Sequence, residues 1–201
     1  MPRSSIVMNL VKTKKKEKVV KARAYDVFIN HRGTDTKRTV ATLLYDHLSG
    51  LRVRPFLDSK DMKAGDKLFD KIGSAIGGCK IGLAVFSPRY CDSYFCLHEL
   101  ALMMDLNKKV IPIFCDIKPS QLRLVDDGTM SPKEVARFGL ALEEAKGTVG
   151  LDFDSRQGNW SDVVKNAANI VMESLAEIED DELDQDNNFS FYKIPTFAAQ
   201  N

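Results

Sequence analysis

Long apolar runs, paired cysteines and a large net charge are all missing from this 201-residue chain. No stretch approaches the ~20 apolar residues that span a bilayer, and the start of the chain lacks the apolar centre of a secretory signal. Pro2 stands where N-myristoylation needs glycine. Cys79, Cys91, Cys96 and Cys115 form no CxxC pair and have no histidine cluster beside them, which argues against a zinc centre or a disulfide framework. No metal site is expected. The expected setting is reducing and cytoplasmic, with a nucleocytoplasmic distribution left open. A formal charge of +1 offers no global attraction to nucleic acid or membrane.

The near-neutral sum hides two opposed ends. Residues 1–23 carry Arg3, Lys12, Lys14, Lys15, Lys16, Lys18, Lys21 and Arg23 against the single acid Glu17. Residues 173–186 carry Glu173, Glu177, Glu179, Asp180, Asp181, Glu182, Asp184 and Asp186 with no base. Such ends either attract each other or stay separately solvated. Both are expected to be disordered, as a basic arm over 1–23 and an acidic tail over 179–201, around one folded domain at 24–178. No aromatics interleave the lysines, so a solvated arm is a better reading than one that binds nucleic acid or acidic lipid.

What is present is a regular alternation. Tyr25–Ile29 reads as a buried strand, and Val40, Leu43, Leu44 and Leu48 recur at helical spacing up to a stop at Gly50. Val53–Leu57 reads as a second strand, Asp58–Asp66 as a polar loop, and Lys67–Ile76 as a helix closed by Gly77 and Gly78. Ile81–Phe86 is a near-continuous apolar strand, followed by a helix over Ser93–Asn107. Val110–Cys115 makes a fourth strand, in which Pro112 suggests an edge or a bulge. After a loop over 116–130 come a helix at Pro132–Lys146, a weak strand near Thr148–Phe153 and a last helix at Trp160–Ile178. Strands and helices in this order predict an α/β fold of flavodoxin-like type, a five-stranded parallel sheet flanked by helices, because parallel neighbours need crossovers.

In such sheets ligands bind outside the carboxyl ends of the strands. Those ends carry Asn30-His31-Arg32-Gly33, Asp58 to Gly65, and Ser87-Pro88-Arg89-Tyr90. Gly33 and Gly65 would let backbone approach a ligand, Arg32 suits a phosphate, and a helix starting near Thr34-Asp35 favours an anion. Taken singly, each is more often a turn residue; together they outline a pocket. Glu99 follows Phe95 by four residues, one helical turn. A ring and a carboxylate so placed can hold a planar cationic base and stabilise positive charge developing on a sugar. Most helical glutamates are simply solvated. This one sits in a helix with Leu97, Leu100, Ala101 and Met104 on one face and Phe95, Leu102, Met103 and Leu106 on the other, so the helix needs two apolar partners, the sheet and either a neighbouring helix or a second copy. His31, His47 and His98 have no serine or cysteine partner at a recognisable spacing.

From about Ala24 to Leu175 the chain resembles a plant-type Toll/interleukin-1 receptor (TIR) domain. Tyr25-Asp26-Val27-Phe28-Ile29 with Arg32-Gly33-Thr34-Asp35-Thr36 resembles the family's first box, and Phe56-Leu57-Asp58 with Met62 and Gly65 its BB loop. Ser87-Pro88-Arg89-Tyr90 through Glu99-Leu100 is similar to the third box, Ile111-Pro112-Ile113-Phe114 with Lys118-Pro119-Ser120 to the fourth strand and its loop, and Trp160 to the start of the last helix. The resemblance implies a TIR-only protein that breaks the nicotinamide–ribose bond of NAD⁺, with NADP⁺ open as a second substrate. NAD⁺ is then substrate, and no cofactor is expected. Glu99 is implied as catalytic, and Phe95, Arg32, Gly33, Asp58, Gly65 and Ser87 as substrate-binding. The implied products are ADP-ribose or cyclic isomers that signal to downstream proteins in plant immunity and cell death. Self-association, with the BB loop of one copy completing the site of the next, is implied too. The alternative is a non-catalytic scaffold that docks on other TIR domains. Phe95 and His98 stand where the family usually has Trp and Asp, Asn30-His31 where it has Ser-Phe, and Thr42-Leu43 where a Ser-His pair serves one self-association surface. A receiver domain is set aside, because Phe86-Ser87 sits where its aspartate would be.

Overall fold

The computed structural model describes residues 25–126 and 128–191. The basic arm over 1–23 lies outside the described residues. Five parallel strands, β1 (Val27–His31), β2 (Pro55–Phe56), β3 (Ile81–Phe86), β4 (Lys109–Cys115) and β5 (Leu151–Phe153), form one sheet in the order β2-β1-β3-β4-β5. The helices are α1 (Gly33–Thr36), α2 (Val40–Gly50), α3 (Asp58–Asp61), α4 (Leu68–Gly78), α5 (Tyr94–Asp105), α6 (Pro132–Gly147) and α7 (Trp160–Phe191). This is the predicted flavodoxin-like α/β architecture. Its strand order reverses between β1 and β3, where such sheets hold their ligands.

Side chains alternate faces along a strand, and that alternation separates two cores. Val27, Ile29, Leu83, Val85 and Ile113 pack with α2 and α7; Phe28, Ala84, Phe86 and Phe114 pack with α4, α5 and α6. Each fully buried Phe or Leu contributes about 1.5–3 kcal/mol. The first strand runs two residues further than its apolar pattern indicates, so Asn30 and His31, expected in a loop, are strand residues. Asn30 falls in the Phe28 series and is carried to the α4–α5 side.

Pro112 marks neither an edge nor a bulge. β4 lies between β3 and β5, and its register with β3 is unbroken from Lys109 to Phe114. The ladder with β5 starts only at Ile113, so Pro112 sits where no strand N–H is required of it. Gly150 passes this point so closely that a Cβ there would stand 2.5 Å from the Pro112 carbonyl oxygen.

The doubly apolar α5 finds both partners inside the chain. Leu97, Leu100 and Ala101 join a core containing the α6 residues Phe138, Ala141 and Leu142. Met103, expected on the outer side, is fully buried in place of Met104, because Gly82 on β3 leaves a space that its sulfur fills. At the other end, α7 continues past Ile178 to Phe191, so the acidic stretch from 179 begins as helix. Lys80 holds it there through Glu179 at 3.0 Å and Glu182 at 3.4 Å. Among the described residues no helix is long and apolar enough to cross a membrane. All four cysteines are free thiols.

Candidate active site

Ser93 caps α5 by accepting from the Cys96 N–H at 3.4 Å, which sets the helix running back from the carboxyl end of β3. Its first two turns carry Phe95 and Glu99 past the end of β1. There a cleft of about 250 Å³ is lined by Phe28, Ile29, His31, Arg32, Gly33, Asp58, Leu68, Ile72, Ser93, Phe95, Cys96 and Glu99. Of the residues predicted to bind substrate, the fold thus gathers Arg32, Gly33, Asp58 and Phe95 around Glu99. Ser87 and Gly65 are not part of the lining. The Ser87 hydroxyl donates to Asp35 Oδ2 at 2.8 Å, and Arg89 adds bonds of 2.6 and 3.1 Å to Oδ1. Burial raises the Asp35 carboxyl, but these bonds outweigh it and hold it below the usual range. Together they latch the end of β3 to α1 at the switch point. Gly65 has φ +97°, and its role is a turn closed by Lys63 and Asp66. The helix expected to greet an anion near Thr34 is only the four-residue α1, too short for much dipole.

Glu99 is held by Asn30 and Tyr90, which the sequence placed at loaded strand ends without assigning either a role at the site. Asn30 Nδ2 donates to Glu99 Oε2 at 2.8 Å and lies 3.2 Å from the Cys96 carbonyl. Tyr90, fully buried, directs its hydroxyl to Asn30 Oδ1 and to the Cys96 carbonyl. The phenol thereby orients the amide, and the amide aims its N–H at the carboxylate. The available signal was Asn30 itself, a buried amide two residues beyond Phe28 on the same strand face. Burial pushes the Glu99 carboxyl up to about 8, against the Asn30 hydrogen bond that lowers it and with the charge of Asp58 adding to the rise. Cys96 is no rival nucleophile, since burial pushes its thiol up to about 12.

His31 spans the floor of the cleft, with Nδ1 3.0 Å from Thr36 Oγ1 and Nε2 3.3 Å from Asp58 Oδ1. That contact is the main reason the Asp58 carboxyl lies below its ordinary value. Arg32 Nε is buried without a hydrogen-bond partner. A buried donor left unpaired is costly, and a phosphate oxygen would satisfy it. Beside it a second cleft of about 590 Å³ shares Arg32, Gly33 and Asp58 and adds Lys37 and Arg38. At the mouth, Phe95 is 43% exposed and pairs with Phe69, 53% exposed, at a centroid distance of 5.6 Å. A larger depression of about 1170 Å³ opens at the ends of β4 and β5. It contains none of the predicted site residues, and of its acids Asp116, Asp152 and Asp154 the first and last accept backbone N–H bonds of 2.7 and 2.8 Å.

A parallel sheet of this order, with a raised carboxyl and an exposed ring near the end of β1, is a doubly wound fold with its site at the switch point. The chain belongs to the TIR domain family, whose model matches residues 24–173. It is 50% identical over 159 residues to the probable 2′ cyclic ADP-D-ribose synthase BdTIR of Brachypodium distachyon, covering 77% of this chain and 71% of that one. It is 29% identical over 171 residues to the TMV resistance protein N of Nicotiana glutinosa, matching 77% of this chain but only 15% of that longer protein. Among solved structures, the TIR domains of the activated Roq1 resistosome that recognises the effector XopQ match with a TM-score of 0.66 at 26% identity, over 73% of this chain and 99% of theirs.

Proposed function

We propose that this protein cleaves NAD⁺ between nicotinamide and ribose, and releases ADP-ribose or a cyclic isomer as an immune signal in the plant cytoplasm. The observation that carries this reading is the Glu99 carboxyl, half-buried in a cleft whose mouth is an exposed aromatic ring. Nicotinamide is bound to ribose as a cation, and breaking that bond returns the electron pair to the ring nitrogen and leaves an oxocarbenium-like sugar. Ionised Glu99 stabilises that charge. Phe95 stacks on the base, Arg32 takes a phosphate oxygen, and Gly33 and Asp58 shape the floor between them.

A nucleophilic oxygen then bonds to the anomeric carbon and loses its proton, for which Glu99 is a suitable acceptor. Water as nucleophile yields ADP-ribose. A hydroxyl of the same folded nucleotide yields a cyclic product, which the name of the Brachypodium relative supports. A closed site favours the second route by excluding water. The 250 Å³ cleft is small for a whole dinucleotide, since such sites commonly reach ~300–1000 Å³. The adjoining basic cleft extends it, and self-association would close it; the exposed Leu68, Phe69 and Phe95 around the mouth support that.

The test is chromatography of NAD⁺ incubated with concentrated protein and with Glu99→Ala. Nicotinamide, with ADP-ribose or a cyclic isomer, is expected from the unaltered protein alone. Release by both would remove Glu99 from the mechanism. Release by neither, with folding and self-association intact, would favour a TIR scaffold.

A further inference from the structure

The acidic half of α7 ends beside the point where the chain enters the sheet. Lys80, at the foot of β3, donates its backbone N–H to the Asp26 carbonyl at 2.9 Å. Its ammonium pairs with Glu179 and Glu182 on α7. One residue therefore joins the start of β1, from which residues 1–24 lead away, to the acidic turns of the last helix.

That helix face carries more negative charge than the described residues neutralise. Glu173, Glu177, Glu179, Asp180, Asp181, Glu182 and Asp184 are all exposed. Lys109 meets Glu177 at 2.7 Å, and Lys80 takes two more. Glu173, Asp180, Asp181 and Asp184 have no ion-pair partner among the described residues. Asp180 and Asp184 stand one turn apart, as do Glu177 and Asp181, a spacing at which like charges destabilise a helix. The cations are in the other end of the chain, where residues 12–23 hold Lys12, Lys14, Lys15, Lys16, Lys18, Lys21 and Arg23. At up to ~3.3 Å per residue the lysines before Tyr25 reach the whole stretch from Glu173 to Asp184, which at ~1.5 Å per residue is about 16 Å long.

We propose that residues 12–23 dock along the Glu173–Asp184 face of α7 in the same chain. They form an electrostatic clasp at the amino ends of the strands, opposite the Glu99 cleft. Opposite charge and a shared exit point select this segment as the occupant. Being exposed, the contact is screened by salt, whose Debye length falls from ~10 Å at 0.1 M to ~3 Å at 1 M.

The experiment uses the full chain, as an equal mixture of ¹⁵N-labelled and unlabelled protein, treated with a zero-length carbodiimide cross-linker and mapped by mass spectrometry. Links from Lys12–Lys21 to Glu173–Asp184 within chains of one isotopic composition are expected, and are lost at high salt. Links of mixed composition would overturn the intrachain clasp in favour of a second copy's arm, and no links would overturn docking altogether. Hydrogen exchange provides an independent reading. Reversing Lys14, Lys15, Lys16 and Lys18 to Glu should speed exchange over 173–184 by roughly fivefold to tenfold, the effect of a few exposed ion pairs acting together. Adding Asp180→Lys, Asp181→Lys and Asp184→Lys should restore both protection and cross-links. Unchanged exchange in the first variant, with circular dichroism showing an intact fold, would also overturn the proposal.

Discussion

Asn30 and Glu99, 69 residues apart in the chain, meet at 2.8 Å where β1 ends against α5. The amide hydrogen bonds to one carboxylate oxygen of a side chain that lines the cleft. Asn30 is itself oriented by Tyr90. The carboxyl is thus held by a buried polar chain whose members are all hydrogen-bonded, an arrangement that restricts its rotamers.

This arrangement predicts a pH profile. Burial pushes Glu99 up to about 8, so about a tenth is ionised at pH 7 in the free protein. If the carboxylate is the working form, kcat/KM for NAD⁺ rises with pH and levels above about 8. Asn30→Ala deletes a bond that favours the charged form, so its rising limb should move to higher pH. Tyr90→Phe should move it the same way by less. An Asn30→Ala midpoint equal to that of the unaltered protein would rule out this role for the amide.

Stability should run opposite to activity at this position. The folded carboxyl titrates above its unfolded value of about 4.3, so the unfolded state releases its proton first and stability falls as pH rises from about 4.3 to about 8. Glu99→Gln removes that loss. Its melting temperature should exceed that of the unaltered protein above pH 8, by about 2–4 °C per kcal/mol relieved, with the gap closing towards pH 4. Calorimetry across that range would show a constant gap if the carboxyl were not raised.

At the mouth of the cleft, Phe95→Ala should raise KM by roughly 5- to 150-fold, since stacking of a base on a ring contributes ~1–3 kcal/mol. Phe95→Trp should lower KM. Phe69, which pairs with Phe95, should give a smaller increase on truncation. Steady-state kinetics showing unchanged KM in Phe95→Ala would place the base elsewhere.

Self-association makes a separate demand, that specific activity climb with protein concentration. A flat profile over a hundredfold range would mean that one copy closes its own site.

Gly150→Ala tests the fold independently of the chemistry. A Cβ there would lie 2.5 Å from the Pro112 carbonyl oxygen and 2.9 Å from the Phe114 ring. Crowding of this kind costs ~1–3 kcal/mol, so a clear drop in melting temperature is expected. An unchanged melting temperature would show that β4 and β5 can separate at no cost.

Apolar periodicity alone determined that this chain alternates strands and helices, because burial imposes a period of 2 on strands and 3.6 on helices. It placed β3 over Ile81–Phe86 to the residue. It also put Glu99 one turn after Phe95, where both line the observed cleft. Element ends were less legible. His31 extends β1, α7 outruns its apolar stripe with the help of Lys80, and Met103 displaces Met104 from the core, all through contacts made by residues distant in the chain. Ser87 and Gly65, expected on the binding rim, stand outside the lining of the Glu99 cleft, where Ser87 joins the Asp35 latch and Gly65 a turn. Only the tertiary structure decided how Glu99 is held. Asn30 reaches it because β1 pairs with β3 and α5 crosses the ends of both, and no local pattern encodes the meeting of Asn30 with the Tyr90–Glu99 segment 60 to 69 residues away.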